Sequence, residues 1–128
     1  MNNEHGEALI HVEENIIVAK LIGAFNGEGA KKYTNGMKKA VKDLQGKSFL
    51  MLVNDLKLEG GTPEALQELE KYNSWLTTQK LIAKAMVVKS NMLIEIIDKF
   101  SPSQKLQKYA FFDNEKDAYT WLKSFNIC

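Results

Sequence analysis

The sequence predicts an α/β fold: one domain built on a mixed, mostly parallel five-stranded sheet covered by about four helices, in the order β-β-α-β-α-β-α-β-α. Three observations carry that prediction. Phe49–Val53 (FLMLV) and Ile82–Lys89 (IAKAMVVK) are nearly continuous apolar runs, as expected of strands buried on both faces of a parallel sheet. The segments around them repeat apolar residues every three or four positions, which is the period of helices packed on one face. No internal repeat, low-complexity stretch or linker interrupts the pattern, and 128 residues suit a single domain with a real core, residues 1–128.

The elements follow in order. Residues 1–7 (MNNEHGE) are polar and carry acids, so they read as a flexible tail and not as a signal peptide. Ala8–Glu13 and Ile16–Ile22 read as strands joined by a tight turn at Glu14-Asn15. Gly23–Gly29 reads as a loop in which Asn26 caps the next helix. From about Glu28 to Leu44, Ala30, Tyr33, Met37, Ala40, Val41 and Leu44 form one apolar stripe. Lys31, Lys32, Lys38, Lys39 and Lys42 fill the rest and read as a solvated face, because no arginine or aromatic is interleaved. Gly46 ends this helix.

The strand Phe49–Val53 ends in Asn54-Asp55, and a loop is expected through Gly60-Gly61. Thr62 supplies a cap oxygen and Pro63 a first helical position, so a helix runs from about Pro63 to Thr77. Its inner face is Leu66, Leu69, Tyr72, Asn73 and Leu76, with Asn73 the one polar intruder. After the strand Ile82–Lys89, a short helix Asn91–Phe100 carries the stripe Met92, Leu93, Ile96, Ile97 and Phe100, and Ser101-Pro102-Ser103 breaks it. Tyr109–Phe112 is a short last strand. Asp113 is expected to cap a final helix with inner face Ala118, Trp121, Leu122 and Phe125.

Several chemistries find little support. The only histidines, His5 and His11, lie near Glu4, Glu7 and Glu13 at spacings that match no zinc site, so no metal is expected. There is no GxSxG elbow for a nucleophile, no GK[ST] phosphate loop and no GxGxxG fingerprint, so no cofactor is expected. Net charge is +1 and all 17 basic residues are lysine, which argues against specific nucleic-acid reading. No apolar run approaches the roughly 20 residues that span a bilayer. The single cysteine, Cys128, has no internal partner, which fits a reducing compartment and a cytoplasmic location.

Two regions remain as candidate sites. Asp55 stands at the carboxyl end of the central strand, where α/β sheets place functional groups, although an aspartate there also bonds its own loop. Together with Glu59, Gly60, Gly61 and Thr62 it leads into a helix N-terminus, a place for a partner or an anion. The helix Asn91–Phe100, with Met92, Leu93, Ile96, Ile97 and Phe100, reads either as plain core or as a lid over an apolar pocket.

LVNDLKLEGGTPEAL (52–66), IAKAMVVK (82–89) and YAFFDNEKDAYTWLKSF (109–125), with its F-x-x-x-x-x-A-x-x-W-L spacing from Phe112, resemble the SpoIIAA-like family, which is grouped with STAS and SEC14 (CRAL-TRIO) domains. The resemblance runs from about Ile16 to Phe125. It implies a mixed sheet with packed helices and no catalytic motif. On the anti-sigma-factor-antagonist side it implies a phosphorylated Ser or Thr at the start of the helix after the central strand, where Thr62 is the nearest equivalent. On the SEC14 side it implies a nonpolar ligand under a mobile helix. The expectation is therefore a non-catalytic binding or regulatory module acting through Asp55–Thr62 and the following helix starts. The alternative is a small SEC14-like carrier of a hydrophobic, lipid-like ligand. Expected partners are a protein or that ligand, and a homodimer is compatible with either.

Overall fold

Strand β1 (Glu7–Glu13) turns back into β2 (Ile16–Phe25), and α1 (Gly27–Asp43) carries the chain to β3 (Phe49–Gly61). Helix α2 (Pro63–Leu76) leads to β4 (Leu81–Val87), and α3 (Asn91–Phe100) with a 3₁₀ turn at Pro102–Leu106 leads to β5 (Tyr109–Phe112). Helix α4 (Glu115–Lys123) follows. The structure is a computed structural model and describes residues 4–125, so Cys128 lies outside the described residues.

The five strands lie side by side in the order β1-β2-β3-β4-β5. Strand β1 is antiparallel to β2, and the other pairings are parallel. Three successive crossovers in one direction, each right-handed, must put their helices on the same face. Helices α1 and α2 accordingly cover a core of Ile17, Ala19, Leu21, Met51 and Val53, with Tyr33, Met37 and Tyr72 pressed onto it. The alternate residues Val18, Leu50, Leu52, Ala85 and Val87 point the other way, onto Ala118 and Leu122 of α4. The fold class and element order are those the apolar patterns predict.

Three expectations need correction. The segment from Asp55 to Gly61 is not a loop: β3 continues through it and pairs with a longer β2, Ile22 with Lys57 and Phe25 with Gly61. Its charges and glycines hid the strand because two bulges break the alternation, one between Lys20 and Ile22 and one between Gly23 and Ala24. Gly60 accommodates the second with φ of 129°, which side chains other than glycine rarely adopt. The expected tail is held where it is described, and Glu7 is already in β1. His5 N–H donates to Asn26 Oδ1 at 3.0 Å, and Asn26 N–H donates to the His5 carbonyl at 3.3 Å. Gly29 permits this approach, since a Cβ there would collide with the His5 carbonyl oxygen. Finally, the cap of α4 is Asn114, whose Oδ1 accepts from Asp117 N–H at 2.8 Å, and not Asp113.

Candidate functional site

The first bulge of β3 sets the site. Alternation already places Asp55 on the same face as Met51 and Val53, beneath the helices. The bulge then returns Leu58 to that face three residues later, so both line one cavity. Asn54 points to the other face, where its Nδ2 donates to Glu115 Oε2 at 2.7 Å and its Oδ1 accepts from Leu56 N–H at 3.0 Å. Asp55 is only 2% exposed, and its Oδ1 has no hydrogen-bond partner among the described residues.

Across the pocket stands Lys84 of β4, in register with Met51 and 3% exposed. Its Nζ donates to Asn73 Oδ1 of α2 and to Gln104 Oε1 of the 3₁₀ turn, both at 2.9 Å. Burial pushes the Asp55 carboxyl up to about 7, against the pull of the Lys84 charge. Burial likewise brings the Lys84 amine down to about 7, against the pull of Asp55. Tyr33 and Tyr72 complete the polar wall, with rings edge to face at 5.9 Å and hydroxyls held well above their usual range, chiefly by burial. Besides Asp55 Oδ1, the buried atoms Asn73 Nδ2, Ser101 Oγ, Gln104 Nε2 and Gln107 Oε1 lack hydrogen-bond partners among the described residues. Folded proteins leave few such atoms without a partner from protein or ordered water.

The space beside this cluster is real. A cavity of about 50 Å³ is lined mostly by apolar side chains, Val53, Met86 and Ile97 among them, with Asp55, Lys84, Gln104, Tyr33 and Tyr72 supplying its polar groups. It adjoins an apolar cavity of about 70 Å³ at Leu21, Leu58, Leu69 and Ile97. On the outer side Asp55 also borders an open surface pocket with Lys89, Ser90 and Leu93.

The predicted site residues divide. Asp55 sits at the floor of the buried pocket, while Glu59, Gly61 and Thr62 are exposed at the far end of β3. Gly60 and Gly61 border the apolar cavity. Thr62 caps α2 as expected, its Oγ1 accepting from Ala65 N–H at 3.2 Å. Of the α3 stripe only Leu93, Ile96 and Ile97 reach the cavity. Met92 is 68% exposed, and Phe100 faces solvent with the Lys99 ammonium over its ring. Lys84 and Gln104 were missed, and Asn73 was noticed only as an intruder. The signal was present: a lysine in the middle of a run read as buried on both faces needs partners somewhere.

Among the described residues no cluster of His, Cys, Asp or Glu could hold a metal, and no helix is long and apolar enough to cross a membrane. His11 pairs with Glu13 on exposed β1 at 2.9 Å, away from Asp55.

No family model matches this sequence, and no curated protein matches it. Solved structures do resemble the fold. An uncharacterized DUF3478-family protein with a SpoIIAA-like fold from Shewanella loihica PV-4 is 16% identical, covering 95% of this chain and 97% of its own, with a TM-score of 0.69. An anti-sigma factor antagonist from Mycobacterium paratuberculosis is 13% identical over 93% of this chain and 95% of its own, with a TM-score of 0.67. Unphosphorylated SpoIIAA, an anti-sigma factor antagonist, is 9% identical over 93% of this chain and 100% of its own, with a TM-score of 0.65. The chain has the SpoIIAA-like, STAS-type fold.

Proposed function

We propose that this chain is a non-catalytic regulatory module that binds a protein partner through the far end of β3 and the start of α2. The supporting observation is the likeness in fold to two anti-sigma factor antagonists over 93% of the chain. At the proposed corner, Glu59, Gly61, Thr62 and Glu64 are exposed around a helix N-terminus whose cap hydroxyl belongs to Thr62. Phosphorylation of Thr62 is the proposed regulation: a phosphate at a helix N-terminus is locally tolerated, yet it adds charge beside Glu59 and Glu64 and so remakes the docking surface. No catalytic role is assigned, because the acid and amine that stand out, Asp55 and Lys84, are almost fully buried.

A carrier of a membrane lipid fits less well. The interior spaces, about 70 and 50 Å³, are each smaller than the roughly 150 Å³ cavity that takes a single benzene ring.

The test is a partner isolated with the wild-type chain and identified. Its affinity should fall at least tenfold with Thr62→Glu and stay unchanged with Lys123→Glu on the opposite face, by titration calorimetry. Equal binding by Thr62→Glu would remove this corner from the interface.

A further inference from the structure

We propose that the outer edge of β1 pairs with the same edge of a second copy of this chain, antiparallel about Leu9, so that two five-stranded sheets become one. This surface is not the corner at Thr62, and its test stands apart from that reading.

The edge is open and regular. Strand β1 ends the strand order, and among the described residues no strand pairs with its outer side. Its register with β2 runs unbroken from Glu7 to Glu13, and no bulge, proline or lysine guards it, as sheet edges commonly are guarded. Two of its apolar side chains stand in solvent, Leu9 at 50% exposed and Val12 at 43%.

The turn decides which backbone groups the edge offers. Glu14, at φ 55°, and Asn15 make a two-residue turn, which closes on a hydrogen-bonded pair, Glu13 with Ile16. Bonded and non-bonded pairs alternate along an antiparallel ladder, so His11, Leu9 and Glu7 also spend their N–H and C=O groups on β2. The next ladder agrees. The Asn15 carbonyl accepts from Leu50 N–H of β3 at 2.9 Å, which leaves Ile16, Val18 and Lys20 to address β1. Ala8, Ile10 and Val12 therefore aim their donors and acceptors outwards.

Side chains choose the register. A two-fold axis at Leu9 sets Ala8 against Ile10 of the second copy, where each exchanges its free backbone bonds, and Leu9 against Leu9 in the closer, non-bonded position. Glu7, Leu9 and His11 share one face of the strand, so the same axis sets each Glu7 against a His11, carboxylate against imidazole. His11 keeps its contact with Glu13 of its own strand, at 2.9 Å, and gains a second carboxylate. An axis at Ile10 would instead set Glu7 against Glu13, like charge on like charge. An axis at His11 would set Leu9 against Glu13. Charge and apolar contact are both complementary about Leu9, and the occupant that presents this pattern is the chain itself.

The surroundings set its limits. Pairing ends with Val12 opposite Gly6, because a φ of 98° there turns the chain away toward Asn26. Helix α1 packs above β1 at Gly36, where a Cβ would meet Ile10 Cδ1 at 2.8 Å. The α1 lysines about one turn to either side, Lys32 and Lys39, are already paired with Glu4 and Asp43, each at 3.0 Å, so their charge does not hold two copies apart.

The experiment is sedimentation equilibrium of the full chain at pH 6, where an ordinary histidine is mostly charged. The mass should rise from the 14.5 kDa of one chain toward twice that value. So small an interface gives a weak dimer, with a dissociation constant on the order of 10–100 μM. Glu7→Lys and His11→Glu should each weaken association about tenfold, and the two together should restore it, since lysine then meets glutamate across the axis. Both positions are exposed, so the variants stay folded, as circular dichroism would verify. With Cys128→Ser in place, Leu9→Cys should cross-link two chains under oxidised glutathione, because residues in that position lie about 4.5 Å apart at Cα. Val12→Cys should not. A monomer at about 1 mM would overturn the proposal. So would a double variant no tighter than the single ones, or a cross-link through Val12→Cys and none through Leu9→Cys.

Discussion

Asp55 and Lys84 put opposite pH slopes on stability. The folded chain keeps the Asp55 proton up to about pH 7, whereas an unfolded aspartate loses it near 3.8. Between those values the native state binds more protons, so this contribution falls as pH rises from about 4 to about 7. Lys84 gives up its proton near 7 when folded and near 10.5 when unfolded. Over that upper range the unfolded state binds more protons, so stability rises with pH, and the pair places a minimum near neutrality. Lys84→Met should therefore be mild at pH 5, where Asp55 is neutral. At pH 8, where Lys84 is itself mostly neutral, no buried charge is relieved and the loss of its hydrogen bonds to Asn73 and Gln104 should cost about 1–3 kcal/mol. Urea denaturation at the two pH values checks this, and an equal loss at both would show that Lys84 does not titrate in the interior. Asp55 was legible because a charge ended an apolar run. Lys84 was not, because its reason lies in Gln104 and Asn73, which approach it only through the fold.

The elements differ in how firmly they are held. Helix α3 buries a single side chain, Ile97, whereas strand β3 buries every residue from Phe49 to Asp55. Few buried contacts mean a low free energy of local opening. The α3 amides should exchange with solvent much faster than those of β3 and β4, as hydrogen–deuterium exchange would measure; equal protection would make α3 part of the global core. Ile97→Ala should cost about 2–5 kcal/mol and Ile96→Ala clearly less, since Ile96 is half-buried. Apolar spacing made α3 legible as a helix, but spacing does not say that its neighbours cover only Leu93, Ile96 and Ile97. The missing half of β3 had a different cause. A bulge shifts the phase of alternation, and Asp55–Gly61 therefore carried no two-residue period for a reader to find.

At the scale of the molecule, the strand order follows from the crossovers and was legible in the alternation of strands and helices. The two faces of the sheet are unequally clothed. Among the described residues, helices α1, α2 and α3 share one face, and α4 alone covers the other through Ala118 and Leu122, with Trp121 half-buried against Phe112 and Phe125. Leu122→Ala should cost about 2–5 kcal/mol, more than most single changes in a helix this short. Thermal melting would test it, and an unchanged midpoint would show that α4 is not what holds that face.

The lone helix on that face also shapes how the chain is born. Every strand precedes α4 in the order of synthesis, and each strand pairs with the one made just before it. The sheet is thus able to assemble progressively on a ribosome while Ile16, Val18, Leu50, Leu52, Ala83, Ala85 and Val87 still face water. A nascent chain stalled before Glu115 carries this bare greasy wall, the kind of transient surface on which chaperones act and from which aggregates grow.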